Sequence, residues 1–188
     1  MNYDSAKKVI ERLNPRVILV SGPQRSGTTI AARIIQKDFD RTYIDENDYG
    51  VHNFENVERR VAAEGKQYVI QGPGLSSFLH KIDPDWLGIF MWRSKEEILA
   101  SQKRIEWHPS EPSELGKYND RFGAKEVEKY GKIPISDLKK MFWTDLQQFK
   151  LGERGITLSY KSLKSHPLWV DKEDRTGTWG VRTYRPGG

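Results

Sequence analysis

The sequence contains no cysteine. Disulfide frameworks and thiolate metal sites are therefore excluded, and the absence fits a reducing compartment. No apolar run approaches the roughly 20 residues needed to cross a bilayer. The N-terminal residues Met1–Lys8 hold no apolar stretch of the kind found in a secretory leader. A cytoplasmic location with no membrane partner is expected. There is also no long run of Lys or Arg. The excess of 31 basic over 26 acidic residues is scattered along the chain. It suits a small phosphorylated ligand as well as a polyanion, but with no basic run nucleic acid is not the expected partner. No internal repeat and no second composition is visible, so residues 1–188 read as one domain.

Aromatic residues are plentiful: six Trp, eight Tyr and seven Phe. They supply area for a core and argue against a disordered chain. Residues 4–13 read as a short helix closed by Asn14-Pro15. Arg16–Val20 is apolar and β-branched, the pattern of a buried strand. Ile30, Ile34 and Ile35 then recur at helical spacing through 28–37. Further strands are expected at 42–44, 67–70, 87–92 and 156–159, and helices at 54–64 and 95–104. Gly72-Pro73-Gly74 reads as a break. Ile135, Leu138, Phe142, Leu146 and Phe149 mark one face of a longer helix. The stretch 106–131 is long for a connection, with one short helix near 124–130, and is a candidate lid or substrate loop. The tail 171–188 is polar and glycine-rich. Strands alternating with helices predict an α/β fold of three layers, with a parallel sheet of about five strands covered on both faces.

Between the first strand and its helix lies Gly22-Pro23-Gln24-Arg25-Ser26-Gly27-Thr28-Thr29. Strand, glycine-bracketed loop and helix is the P-loop arrangement. Glycines let backbone N–H groups turn around an anion, and the helix adds its open N-terminal donors and positive dipole end. The spacing fits the nucleoside-triphosphate loop except that Thr28 stands where the Lys belongs. The nearest cation is Arg25, inside the loop.

Arg25-Ser26-Gly27-Thr28-Thr29 resembles the 5′-phosphosulfate loop of sulfotransferases that use 3′-phosphoadenosine 5′-phosphosulfate (PAPS) and release 3′-phosphoadenosine 5′-phosphate (PAP). The resemblance implies that Arg25 touches the transferring sulfuryl group. In that family a strand ends in Arg and a Ser follows eight positions later, both on the cofactor's 3′-phosphate. Arg93 and Ser101 fit that spacing. Ser159–Pro167 resembles the family's late-strand segment, which implies Tyr160 near the adenine. Arg175-Thr176-Gly177 resembles the closing loop that grips the 3′-phosphate, with Thr in place of the usual Lys. Ile30 replaces the aromatic that stacks on adenine, which leaves stacking to Trp179.

The acceptor side is less defined. Family members with a His after the third strand have no counterpart here, since that region reads Gln71-Gly72-Pro73-Gly74. Other branches place a Glu at the end of the second strand. Glu46 is the candidate base and Asp45 the second, against the plain reading of a solvated acidic loop. His52, His80, His108 and His166 are scattered without metal-ligand spacing. Trp86, Trp92, Trp107 and Trp143 read as core or loop anchors, and Trp107-His108-Pro109 as a wall of an acceptor pocket.

Three readings follow. The first is sulfuryl transfer from PAPS to a hydroxyl on a small molecule or glycan. The second is a small kinase using ATP and magnesium, the metal held by Thr28 or Thr29 and a carboxylate, with Arg93 and the segment 106–132 as a lid. The third is a nucleotide-binding module without catalysis.

Overall fold

The computed structural model describes residues 1–50, 53–62, 65–104, 140, 143–144 and 151–170. Helix α1 (Tyr3–Leu13) opens with Asn2, whose side chain accepts from the Ser5 N–H, and ends on Asn14 in the left-handed region. Strand β1 (Val17–Ser21) is buried along its whole length. Then come α2 (Thr28–Phe39), β2 (Thr42–Ile44), α3 (Glu46–Tyr49), α4 (Phe54–Val61), β3 (Tyr68–Gln71) and a 3₁₀ helix (Pro73–Lys81). Strand β4 (Trp86–Trp92), α5 (Lys95–Arg104), β5 (Gly155–Ser159) and α6 (Pro167–Val170) complete the described elements, with short 3₁₀ turns on either side of β5.

The five strands pair in the order β2-β3-β1-β4-β5, and every pair is parallel. β1 is central: Leu19 lies between Ile70 of β3 and Gly88 of β4. Alternation along β1 sends Ile18 and Val20 to one face and Val17 and Leu19 to the other. On the first face they meet Ala6 and Ile10 of α1 and Ala31, Ile34 and Ile35 of α2. On the second they meet Phe54, Val57 and Val61 of α4, Leu75 and Leu79 of the 3₁₀ helix, and Trp143. The chain is an α/β protein with a five-stranded parallel sheet between two helical layers, as its pattern predicts.

Boundaries shift in detail. The helix expected to reach residue 64 ends at Val61, and the strands at 67, 87 and 156 begin at Tyr68, Trp86 and Gly155. The Gly72-Pro73-Gly74 break is the start of the 3₁₀ helix, which buries Leu75 and Leu79 completely. Pro73 sits at its first turn, where a missing N–H costs nothing. Of the long helix expected around 135–149, only Lys140, Trp143 and Thr144 are described, and all three are helical. Trp143 stacks on Phe90, centroids 5.1 Å apart, and its indole N–H donates to Thr157 Oγ1 at 2.7 Å. The segment 106–131 and the tail 171–188 lie outside the described residues. Among the described residues no helix is long and apolar enough to cross a membrane.

One polar node ties α1, α2 and α6 together. Asp38 accepts from Tyr3 Oη at 3.0 Å and Lys7 Nζ at 3.3 Å, and its other oxygen lies 3.1 Å from His166 Nε2. The Leu168 N–H donates to His166 Nδ1, so the ring proton sits on Nε2 and points at Asp38. Burial alone would raise the Asp38 pKa. Hydrogen bonds from His166, Tyr3 and Lys7 outweigh it and hold the carboxyl below its usual range.

Candidate functional site

The loop after β1 is shaped by three left-handed residues. Gly22 has φ 139°, Arg25 φ 67° and Gly27 φ 98°. A Cβ on Gly22 would stand 3.0 Å from the Met91 carbonyl oxygen, so the loop lies directly against the backbone of β4. The Ser26 N–H donates to the Pro23 carbonyl at 3.1 Å. The Ser21 hydroxyl donates to the Gly72 carbonyl at 2.8 Å and sits 2.9 Å from Ser76 Oγ, anchoring the loop's first end. Its other end is Gly27, the N-cap of α2, which offers no side-chain cap to the helix's first N–H groups. Those donors and the dipole end face the loop, the arrangement that favours an anion. Thr29 is exposed. Thr28 is buried and accepts from Gln71 Nε2 at 3.3 Å.

The second motif converges on the same place. Arg93 follows β4 directly, and its Nη1 donates to the Arg25 carbonyl at 2.9 Å. Ser101, within α5 and buried, accepts from Arg25 Nε at 3.2 Å. The Arg93 guanidinium lies 4.0 Å from the ring centroid of Tyr160, the first residue after β5. Its Nε is 3.9 Å from the Glu97 carboxylate. Tyr160 in turn abuts the loop: a Cβ on Gly27 would fall 2.4 Å from its ring. Trp169 meets Tyr160 edge-on at 4.9 Å. Residues from four separate stretches thus gather at the carboxyl ends of β1, β4 and β5, the edge at which open α/β sheets bind ligands.

Asp45 and Glu46 sit elsewhere on that edge. They follow β2, which is separated from β1 by β3, a distance of roughly 10 Å at ordinary strand spacing. Asp45 is the N-cap of α3. It accepts from Tyr43 Oη at 2.8 Å and from the Asn47 N–H at 3.2 Å, and its own N–H donates to Asp48. Its oxygens are thereby engaged in local structure. Glu46 opens α3 and is half-buried. The Tyr49 hydroxyl donates to the Gln71 carbonyl, and burial followed by the charges of Glu46 and Asp45 pushes its pKa up.

Two side chains at this edge carry no motif in the sequence. Gln71 ends β3 beside the loop and reaches Thr28; its place at a strand end before Gly72 is the one available signal. Arg33 lays its guanidinium 3.5 Å from the ring of Tyr43, whose hydroxyl donates to Asp45. Trp86 and Trp143 are core, as expected. Trp92 is not: it is 44% exposed, with Lys140 Nζ 4.7 Å from its ring centroid. Arg175, Gly177, Trp179 and the Trp107–Pro109 wall lie outside the described residues. Among the described residues no group of three or more His, Asp or Glu is placed to hold a metal ion.

No family model and no curated protein matches the chain. Among solved structures, a shikimate kinase from Acinetobacter baumannii in complex with shikimate aligns with 74% of this chain and 96% of its own. The sequence identity is 14% and the TM-score 0.35, a likeness too distant to speak about ligand or reaction.

Proposed function

We propose that the chain binds PAPS at the Ser21–Thr29 loop and transfers its sulfuryl group to a hydroxyl acceptor, a small molecule or glycan, releasing PAP. The observation that carries this reading is the meeting of Arg25, Arg93 and Ser101 at one strand edge. A loop with an uncapped helix N-terminus suits one phosphate. Two guanidinium groups and a buried hydroxyl beside it suit a ligand with a second.

PAPS supplies an activated sulfuryl group and a stable leaving phosphate. The residues supply positioning and charge. Arg25 and the N–H groups of α2 would hold the 5′ end, and Arg93 with Ser101 the 3′-phosphate. Arg25 would stabilise charge building on the leaving oxygen. Glu46 would take the acceptor's proton, since Asp45 is engaged as a helix cap. Most of the rate would come from holding donor and acceptor in line.

One observation favours a second reading. Thr29, exposed at the start of α2, occupies the hydroxyl position of a triphosphate loop, which supports a kinase using ATP and magnesium. Against it, Thr28 at the Lys position is buried and carries no charge. Thermal stabilisation separates the two. PAP without metal is expected to raise Tm. A shift seen only with ATP and magnesium sinks the sulfotransferase reading. Comparing PAPS turnover by the parent and Glu46→Gln then divides an enzyme from a binding module: equal turnover removes Glu46 from the chemistry.

A further inference from the structure

The loop's conformation is held from outside itself. Arg25 is not glycine, yet its φ is 67°, a region that residues with a Cβ avoid. Within the loop's backbone, the Ser26 N–H donates to the Pro23 carbonyl across the turn. The left-handed residues 25 and 27 each meet a side chain from a distant strand end. Arg93 Nη1 takes the carbonyl of Arg25 at 2.9 Å. The Tyr160 ring fills the space beside Gly27 so closely that a methyl group there would overlap it. The two side chains also hold each other, with the guanidinium carbon over the ring 4.0 Å from its centroid. Trp169 backs the ring from the side.

We infer that Arg93 and Tyr160 form a clamp that fixes the left-handed turn at Arg25–Gly27, so that they govern the binding of any phosphate in the loop and not only of a second phosphate. The inference rests on the reading of Ser21–Thr29 as a phosphate loop and adds a positioning role to both residues. It differs in outcome from a role for Arg93 as a ligand of the 3′-phosphate alone. A pure ligand would matter for PAP and be indifferent to AMP, which has only the 5′-phosphate. A clamp residue matters for both. The clamp also needs the Tyr160 ring and not its hydroxyl, because the contacts to Gly27 and Arg93 are made by the ring.

The test compares the parent with Arg93→Ala, Tyr160→Leu and Tyr160→Phe. Binding of AMP and of PAP is measured by calorimetry, and amide hydrogen exchange over residues 25–28 is followed in the ligand-free chain. Arg93→Ala and Tyr160→Leu are expected to weaken AMP and PAP alike by about tenfold, the scale of one lost hydrogen bond to a charged group. Both are expected to speed exchange at those amides about tenfold. Tyr160→Phe retains the ring and its contacts to Gly27 and Arg93, so its losses are expected to be smaller than those of Tyr160→Leu. An Arg93→Ala chain that loses PAP but binds AMP as the parent does, with unchanged exchange, overturns the clamp. A parent that binds neither nucleotide overturns the proposed function instead, and the exchange comparison still decides the clamp.

Discussion

Replacing Gly27 by alanine challenges the loop with a single methyl group, and the structure says what that methyl meets. With φ at 98°, a side chain at this position is strained whatever space surrounds it. The left-handed conformation costs an L-residue about 1–2 kcal/mol. The new Cβ would also stand 2.4 Å from the Tyr160 ring, whereas carbon atoms in contact rest at about 3.5–4.0 Å. The ring must retreat by more than an ångström, which disturbs its contacts with Arg93 and Trp169. Overpacking of this kind costs about 1–3 kcal/mol. The sum is about 2–5 kcal/mol, a large part of the roughly 5–15 kcal/mol that holds a domain together. Urea unfolding reads it as a lower midpoint at unchanged slope. A double-mutant cycle separates the two parts. In a Tyr160→Ala background the steric part vanishes and the backbone part remains, so the coupling should be about 1–3 kcal/mol. If the two substitutions add without coupling, Tyr160 does not rest on Gly27 and the packing described for the loop is wrong.

Three further outcomes are expected. Asp38 has a depressed carboxyl pKa in the folded chain. The stability it confers is complete above the ordinary Asp value, about pH 4, and is lost as pH falls through the folded value. Urea midpoints taken between pH 3 and 7 should show that acid limb, and Asp38→Asn should flatten it while lowering stability at pH 7. Trp143→Phe keeps the stack on Phe90 but loses the bond to Thr157, a cost of about 1 kcal/mol, against about 3–5 kcal/mol for Trp143→Ala; denaturant titration ranks the two. Glu97→Gln removes the anion beside Arg93. It should tighten PAP binding a few-fold in low salt, with the gain shrinking as salt rises; calorimetry at two ionic strengths checks both points.

Local signals and long-range ones fared differently in the sequence. Val17–Ser21 and Trp86–Met91 are strand-like in composition and buried on both faces, so pattern alone finds them. The loop between β1 and α2 is legible because its glycines stand at fixed offsets between a strand and a helix. The spacing of Arg93 and Ser101 suggested a pair, and the structure brings both to Arg25. The 3₁₀ helix at Pro73–Lys81 is not legible, because Gly72-Pro73-Gly74 reads as a break and the burial of Leu75 and Leu79 that holds it is tertiary. Asp45 looked like a second base because a cap and a base are the same carboxylate until its partners are known. His166 looked solitary, for its partner Asp38 lies at the far end of the chain. Nothing at Gly27 or Tyr160 announces that the two touch.

That contact has a consequence for the order in which the protein takes shape. β1 and its loop are made early, but β1 pairs only with β3 and β4, so the centre of the sheet waits for residues up to Trp92 to leave the ribosome. Arg93 arrives at once after β4. Tyr160 comes much later, after β5. A chain interrupted anywhere between the two would hold the whole 21–29 loop without the Tyr160 ring that packs against Gly27. Growing chains halted at successive lengths should therefore gain affinity for nucleotide late, in a step that coincides with the emergence of Tyr160 and not with that of the loop itself.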